Sequence, residues 1–232
     1  MAANRELSLA KQEIKRLAYV DAVTLIPNKR AFDLAVTREI EDSPRQQSPL
    51  AVVIADVDRF KQFNELYGYL EGDACLASLG TAIAQNISRP GDFCARYGGE
   101  ESAIVLPDTD LEDALQLIEG IRESIQDLAL SHSGKSAGVV TMSFGISAVE
   151  TVPVGIDIDV IRKLIIQIQD ADEALYQAKS SGRNKIVARG FGIDRKLRNN
   201  SIDDEPVASA RVRAGLRRPR SLRCRSRGPT PP

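Results

Sequence analysis

The chain has 232 residues, 43% of them hydrophobic, which is enough for one well-packed domain and too little for two comfortable ones. Its three cysteines, Cys75, Cys94 and Cys224, show neither CxxC nor Cys/His spacing, so the pattern suggests neither a zinc site nor a disulfide framework. The N-terminus lacks the apolar core of a secretory leader, and no apolar run approaches the roughly 20 residues of a membrane helix. We therefore expect a soluble protein of the reducing cytoplasm.

The net charge of −1 combines two regions of opposite sign. Of the 31 basic and 32 acidic residues, 12 and 4 lie in residues 189–232, which gives +8 there and leaves −9 for residues 1–188. The acidic body argues against a nucleic-acid-binding surface on the folded domain. The basic tail is rich in arginine and proline and has no periodic apolar face, so we expect disorder, with an RNA or acidic-partner contact as the alternative.

Helical spacing dominates the first part of the chain. An N-terminal helix within residues 1–20 is predicted by a 3-4-3 series, which is formed by Leu7, Ala10, Ile14 and Leu17. This helix is either a dimerising coiled-coil stub or a lone helix docked on the domain. The segment "IPNKRAFDLAVTREIED", with Pro27 and Asn28 as its start signal, predicts a second helix.

The remaining segments alternate between strands and helices. "LAVVIAD", residues 50–56, predicts a central strand buried on both faces. Two helices over about 59–67 and 71–88 follow, and "DFCARYGGEESAIVL" predicts two strands about a Gly98-Gly99 turn. Each of the last two strands is preceded by an apolar stripe with helical spacing. The stripe before "VVTMSFGISAV" is Leu111, Leu115, Ile118, Ile121, Ile125 and Leu128, and the stripe before "KIVA" is Val160, Leu164, Ile168, Ala171, Leu175 and Ala178. This order predicts an α/β sandwich in which helices cover a mixed sheet.

Acidic side chains stand at two points that this fold could bring together. Asp56 and Asp58 end the central strand, and Glu100 and Glu101 follow the hairpin glycines. If the hairpin pairs beside the central strand, these carboxylates meet at one edge of the sheet. Hard oxygen ligands without nearby histidine or cysteine favour Mg²⁺ or Mn²⁺ carrying a phosphorylated substrate. For any one of these acids, an ordinary surface carboxylate is the alternative.

Other polar residues near the predicted site suit a nucleotide. The segment "DRFKQFN" opens a helix directly after the strand, so its first N–H groups and Lys61 could receive phosphate oxygens. Asn64 and Asp73 supply the amide and carboxylate that can read guanine, although surface and capping roles explain each one separately. Lys179 and Arg183 could bind phosphate or simply complement a helix dipole.

Five blocks of the chain together resemble the GGDEF diguanylate cyclase family: "DAVTLIPNKRAFD", "ADVDRFKQFNELYGYLEGD", "RPGDFCARYGGEES", "VTMSFGIS" and "ADEALYQAKSSGRNK". The resemblance covers about residues 15–188 and implies a catalytic domain over 21–188, with a fold related to nucleotidyl cyclases and polymerase palms. It implies that two GTP molecules are condensed into cyclic di-GMP with release of two pyrophosphates. Each protomer of a homodimer would present one GTP.

The resemblance also implies roles for individual residues. Two Mg²⁺ or Mn²⁺ ions per active site would be held by Asp56, Glu100 and the Val57 carbonyl. Glu100, with Glu101 beside it, would help to deprotonate the attacking 3′-hydroxyl. Guanine would be read by Asn64 and Asp73, phosphates would be held by backbone amides at Arg59 and Phe60 and by Lys61, Lys179 and Arg183, and Gly98 and Gly99 would let the turn lie against the nucleotide.

A further block, "RPGD", resembles the RxxD site at which the product inhibits enzymes of this family. Arg89 would engage phosphate or guanine, and Asp92 would accept from a guanine edge. A simple salt bridge within the loop is the alternative interpretation.

Three positions depart from the family pattern. Ser102 replaces a phenylalanine, Tyr69 a histidine and Leu25 a glycine. Strand parity puts Ser102 on the side of Ile104 and Leu106, so the change removes packing and no ligand. Because every charged or amide residue of the pattern is present, an active enzyme is favoured. The alternatives are a degenerate domain that binds GTP or cyclic di-GMP without synthesis, and an ordinary cyclase that closes a single nucleotide.

Overall fold

The computed structural model describes residues 17–42, 48–134, 138–149 and 158–191. After the helical residues 17–19, these ranges contain five helices and five strands: α1 Lys29–Asp42, β1 Leu50–Val57, α2 Phe60–Tyr67, α3 Tyr69–Asn86, β2 Phe93–Arg96, β3 Glu101–Pro107, α4 Leu111–Asp127, β4 Met142–Val149, α5 Ile158–Ser180 and β5 Ile186–Phe191. Most of the predicted N-terminal helix and residues 192–232 of the basic tail lie outside the described residues.

The strands form one mixed sheet in the order β2-β3-β1-β4-β5. The central strand β1 is antiparallel to both neighbours, β3 and β4, whereas β4 and β5 run parallel. All eight residues of β1 are buried, as expected for a strand covered on both faces. The predicted α/β sandwich with a mixed sheet is confirmed.

Alternate residues of β1 belong to two separate cores. Ala51, Val53 and Ala55 pack with the apolar faces of α2, α3 and α4, while Val52 and Ile54 pack with Phe32 of α1 and Leu175 of α5. Complete burial of one such large apolar side chain contributes about 1.5–3 kcal/mol relative to exposure. The same alternation directs Asp56 towards the α5 side of the sheet.

Helix α5 packs directly on the backbone of β4 at Gly145. A β-carbon at this position would lie 2.0 Å from the Ala171 carbonyl oxygen and 2.3 Å from the Leu175 nitrogen. Since both of those atoms belong to the backbone of α5, only glycine allows this approach. The contact brings the C-terminal turn of α5 close to the end of β1.

The apolar stripe predicted for α4 agrees with the structure in all but its last residue. Ile118, Ile121 and Ile125 are buried, but the helix ends at Asp127 and Leu128 is 39% exposed. The Asp110 side chain caps the start of α4 by accepting from the Asp113 N–H at 2.9 Å. Among the residues described, no helix combines the length and apolarity that a membrane span requires.

Candidate active site

The end of β1 and the β2–β3 turn meet at one edge of the sheet. Asp56 pairs in register with Glu101, and the Val57 N–H donates to the Glu100 carbonyl oxygen at 3.4 Å. The four residues between β2 and β3, 97–100, form a turn that we call the glycine turn, and it places Glu100 beside the C-terminal end of the central strand. The hairpin thus pairs beside the central strand, which is the condition under which Asp56 and Glu100 were expected to lie at one edge of the sheet.

Asp56, Glu100 and Glu101 together form what we call the acidic edge, and Asp56 is its buried member. Its residue exposure is 6%, and its Oδ2 lies 2.7 Å from Nζ of Lys179. Burial, with a smaller contribution from the charges of Glu100 and Glu101, raises the pKa of Asp56 to about 6 against the opposing effect of Lys179. These carboxylates are therefore close enough to repel one another, and a bound cation would relieve that repulsion.

The donor set at this edge suits a hard divalent cation. Asp56 and Glu100 offer carboxylate oxygens, and the main chain between β1 and α2 offers the Val57 carbonyl. Within the described ranges, no three histidine, cysteine or acidic side chains converge on one point. The fit thus depends on two carboxylates with backbone and substrate oxygens, which is a usual environment for Mg²⁺.

The two turn glycines provide space and do not supply a special conformation. The described glycines with left-handed φ are Gly68, Gly91, Gly138 and Gly182, so Gly98 and Gly99 are not among them. A β-carbon at Gly98 would lie 2.7 Å from Oε2 of Glu101, whereas one at Gly99 would point into open space. Gly99 therefore leaves the outer side of the turn free for a ligand.

Arg96 joins the β2–β3 turn to the loop that precedes α1, and the sequence patterns did not reveal this contact. Its Nε and Nη2 donate to the Gly99 carbonyl oxygen at 3.0 and 2.7 Å, and its Nη1 lies 2.9 Å from Oδ1 of Asp21. Asp21 also accepts from the N–H and hydroxyl of Thr24. Burial alone would raise the pKa of Asp21, but the bonds from Thr24 and Arg96 outweigh it and lower the value.

The same loop contains the departure at Leu25. Leu25 has φ of 59°, a left-handed conformation that disfavours a residue with a β-carbon, and it is 68% exposed. Its N–H donates to the Asp21 carbonyl oxygen at 3.0 Å. Leucine here thus carries strain without any compensating burial.

Ser102 lies on the face of β3 that its strand parity predicts. It lines a cavity of about 10 Å³ between the core on the α2–α4 side and the β2–β3 turn; the other lining residues include Val57, Leu76, Leu79 and Met142 from the core and Gly99, Glu100 and Glu101 at the turn. Such a volume has room for about one water. The small polar side chain therefore leaves a packing defect next to the acidic edge.

The predicted phosphate-binding residues come from two parts of the chain, the start of α2 and the end of α5 with the turn that follows it. Arg59 precedes α2 with φ of 60°, and Lys61 is exposed on the first turn of that helix. Lys179 comes from the last turn of α5, and the Arg183 N–H donates to the Ala178 carbonyl oxygen at 3.0 Å. The structure brings Lys179 into contact with Asp56 and places Arg183 in the turn just beyond it.

The predicted guanine-binding pair lies at the junction of α2 and α3. A β-carbon at Gly72 would come within 2.0 Å of Oδ1 of Asn64, so the amide packs directly on the glycine that precedes Asp73. Oδ1 is buried and has no hydrogen-bond partner among the described residues, while Asp73 is exposed. The structure therefore brings the amide and the carboxylate to the same corner.

A family model described as "Diguanylate cyclase, GGDEF domain" matches residues 18–185 of the chain. The chain belongs to this family. "Diguanylate cyclase VdcA" of Vibrio cholerae is 34% identical over 191 residues, which are 80% of this chain and 52% of that protein. The first curated relatives are matched over a quarter to about half of their own length.

Solved GGDEF domains share the fold. The coiled coil and GGDEF domain of DgcB from Caulobacter crescentus, in complex with c-di-GMP, aligns with a TM-score of 0.69 and 26% identity, covering 81% of this chain and 94% of that one. The active GGEEF domain of a diguanylate cyclase from Vibrio cholerae aligns with a TM-score of 0.57 and 30% identity, covering 71% and 98%. The predicted domain boundaries, 21–188, stay a prediction.

The RPGD segment of this GGDEF domain forms a tight turn at the far end of β2. The Asp92 N–H donates to the Arg89 carbonyl oxygen at 3.1 Å, and Gly91 has φ of 98°. Burial raises the pKa of Asp92, against the nearby charge of Arg89. Since β2 spans four residues, about 13 Å of strand separates this turn from the glycine turn.

Proposed function

We propose that the chain is an active diguanylate cyclase, which condenses two GTP molecules into cyclic di-GMP. The observation that carries the proposal is the pairing of β1 with β3 together with the hydrogen bond from Val57 to Glu100. These contacts put Asp56 and Glu100 at one edge of the sheet, with Lys179 in contact with Asp56. Family membership supports cyclic di-GMP synthesis in general. Because GTP is the substrate, a cytoplasmic location is part of the proposal.

Asp56, Glu100 and the Val57 carbonyl would hold two divalent cations per site, Mg²⁺ or Mn²⁺. When bound, these ions would neutralise phosphate charge and stabilise the attacking and leaving oxygens. The closely spaced carboxylates of the acidic edge support this assignment.

The protein's own residues would bind and orient the nucleotide. Lys61, Lys179 and Arg183, with the first amides of α2, would hold the phosphate oxygens. At the α2–α3 corner, Nδ2 of Asn64 would donate to the guanine carbonyl and Asp73 would accept from the guanine N–H groups. The packing of Asn64 Oδ1 on Gly72 supports this orientation of the amide, because it leaves the nitrogen as the atom available to the ligand.

Glu100, assisted by Glu101, would accept the proton of the 3′-hydroxyl of one GTP as that oxygen attacks the α-phosphorus of the other. A new P–O bond forms, the bond between the α-phosphorus and its bridging oxygen breaks, and pyrophosphate leaves. In a second, equivalent step the 3′-hydroxyl of the other nucleotide attacks the remaining α-phosphorus, which releases the second pyrophosphate and closes the ring. Since each domain would present one GTP, the reaction requires two copies of the chain face to face.

The product would also bind at the RPGD turn. Arg89 is exposed and Asp92 is half-buried in a fixed turn, so a guanidinium and a carboxylate are available there for a guanine or a phosphate. We assign this turn to feedback inhibition by cyclic di-GMP.

A degenerate domain that binds nucleotide without turnover is the second candidate. The cavity beside Ser102 favours it, since loose packing next to the glycine turn could impair the placement of Glu100. The charged and amide groups are nevertheless all present, and a solved relative with two glutamates in its GGEEF turn is described as active.

Incubation with GTP and Mg²⁺ or Mn²⁺, after removal of any bound cyclic di-GMP, separates these functions. We expect chromatography to show the cyclic dinucleotide with the parent and none with Glu100→Gln. Bound but unchanged GTP would support the degenerate domain, and a 3′,5′-cyclic mononucleotide would indicate an ordinary cyclase.

A further inference from the structure

Asp58 is a buried carboxylate to which the proposed chemistry gives no role. It is 1% exposed and lies two residues beyond Asp56. Its Oδ2 accepts from the Thr141 hydroxyl and its Oδ1 from the Ser143 hydroxyl, both at 2.6 Å. Because charge-assisted hydrogen bonds inside a protein are strong, these contacts fix the carboxylate against the start of β4.

A third donor to Asp58 comes from the turn between α5 and β5. The Asn184 N–H donates to Oδ2 of Asp58 at 2.9 Å. In this turn Arg183 has φ of 64° and Asn184 φ of 47°. Two successive non-glycine residues in the left-handed region are unfavourable, so the surrounding contacts must hold the turn in place.

Helix α4 holds the same turn from another direction. Nη1 of Arg122 donates to Oδ1 of Asn184 at 3.1 Å. Arg122 is itself oriented by Glu119, which accepts from Nε at 2.9 Å and from Nη2 at 2.6 Å. We call Asp58, Asn184 and Arg122 the turn latch.

We propose that Asp58 is a positioning residue for phosphate recognition, acting through the turn latch on Arg183 and Lys179. The latch holds the turn against the strand end that carries Asp56, while Lys179 contacts Asp56 from the preceding helical turn. Asp58 is too deeply buried to touch the nucleotide, so its effect on binding passes through the placement of these cations. The inference rests on the proposed function, because the phosphate roles of Lys179 and Arg183 belong to it.

Asp58→Asn in the full chain tests the proposal, since the amide keeps the shape but replaces one acceptor with a donor. We expect the KM for GTP to rise about tenfold, the factor for one lost contact of ordinary strength, with kcat changed by less than about threefold. The Asn184 amide should also exchange its hydrogen faster. Arg189→Ala is the matched control, because it removes an ion pair with Glu173 between α5 and β5 without touching the latch.

Several results would overturn the proposal. A folded Asp58→Asn protein with unchanged KM and unchanged Asn184 exchange would show that Asp58 does not position the turn. A fall in kcat at constant KM would indicate a direct role in the reaction, and a rise in KM equal to that of Arg189→Ala would indicate general loosening.

A second variant covers the case in which Asp58→Asn does not fold. Ser143→Ala removes one of the two hydroxyls that hold the Asp58 carboxylate and keeps the carboxylate itself, so it should fold and raise the KM for GTP severalfold; an unchanged KM would overturn the proposal. If the parent itself makes no cyclic di-GMP, the proposed function fails separately. The latch is then judged by the dissociation constant for GTP and by Asn184 exchange in the same variants.

Discussion

The ammonium group of Lys179 lies 2.7 Å from Oδ2 of Asp56 and joins the last turn of α5 to the end of the central strand. Lys179 is a third exposed at its side chain, whereas that of Asp56 is 8% exposed. The Lys179 ammonium group thus lies on the solvent-exposed side of the contact, and the Asp56 carboxylate lies on the buried side. Burial outweighs this contact and leaves the pKa of Asp56 raised to about 6.

The metal-free protein should become more stable as the pH falls from about 7 to about 5, by roughly 1 kcal/mol. Folded Asp56, with its pKa of about 6, takes up a proton in this window, while the unfolded residue, at 3.8, does not. Protonation therefore favours the folded state, and the gain is lost again as the pH rises through 6. Urea unfolding with a chelator present measures it. Asp56→Asn should remove this pH dependence, and an identical dependence in the variant would contradict the assignment.

Leu25→Gly should stabilise the protein by about 1 kcal/mol, because glycine adopts the left-handed conformation at this position without strain. The side chain that is lost is largely exposed, so little burial is sacrificed. Leu25→Ala is the matched control, since alanine keeps the β-carbon and the strain. Thermal unfolding compares the three proteins, and a gain that alanine reproduces would show that strain is not the cause.

Ser102→Val should raise the free energy of unfolding by about 1 kcal/mol by adding apolar volume to the cavity lined by Leu76, Leu79 and Met142. Ser102→Ala removes the hydroxyl without filling the space and should have a smaller effect. Urea denaturation distinguishes the variants. Equal stability of the valine and alanine proteins would mean that the cavity is not available to a larger side chain.

Asp21 and Arg96 should show energetic coupling of about 1 kcal/mol in a double-mutant cycle, because their ion pair is mostly shielded from solvent. We expect Asp21→Ala and Arg96→Ala each to destabilise the protein, and the double variant to lose less than the sum. The cycle is measured by chemical unfolding. Strict additivity would show that the 2.9 Å contact contributes nothing to the link between the two loops.

Much of the fold was predictable because it depends on local patterns. The unbroken apolar run of β1 indicates a strand that is buried on both faces, and the helical period of α4 indicates which face of that helix is buried. The last residue of the α4 stripe, Leu128, was misplaced because the apolar period continues one residue beyond the helix.

The contacts that hold the site are long-range and leave no periodic signal. Asp21 and Arg96 are 75 positions apart, and Asp58 and Asn184 are 126 apart. The replacement of a glycine by Leu25 pointed to a left-handed backbone at that position, and the structure has one; Arg183 and Asn184 adopt the same conformation without such a signal. Identifying these last two positions required coordinates, because φ depends on how the surrounding segments pack.

The most direct test of the central claim is a time course that counts pyrophosphate and cyclic di-GMP formed from GTP by the purified chain with Mg²⁺ or Mn²⁺. A diguanylate cyclase releases one pyrophosphate for each GTP consumed and forms one cyclic di-GMP for every two, and we predict this stoichiometry for the parent and its loss in Glu100→Gln. A folded parent that binds GTP and leaves it intact would contradict the account.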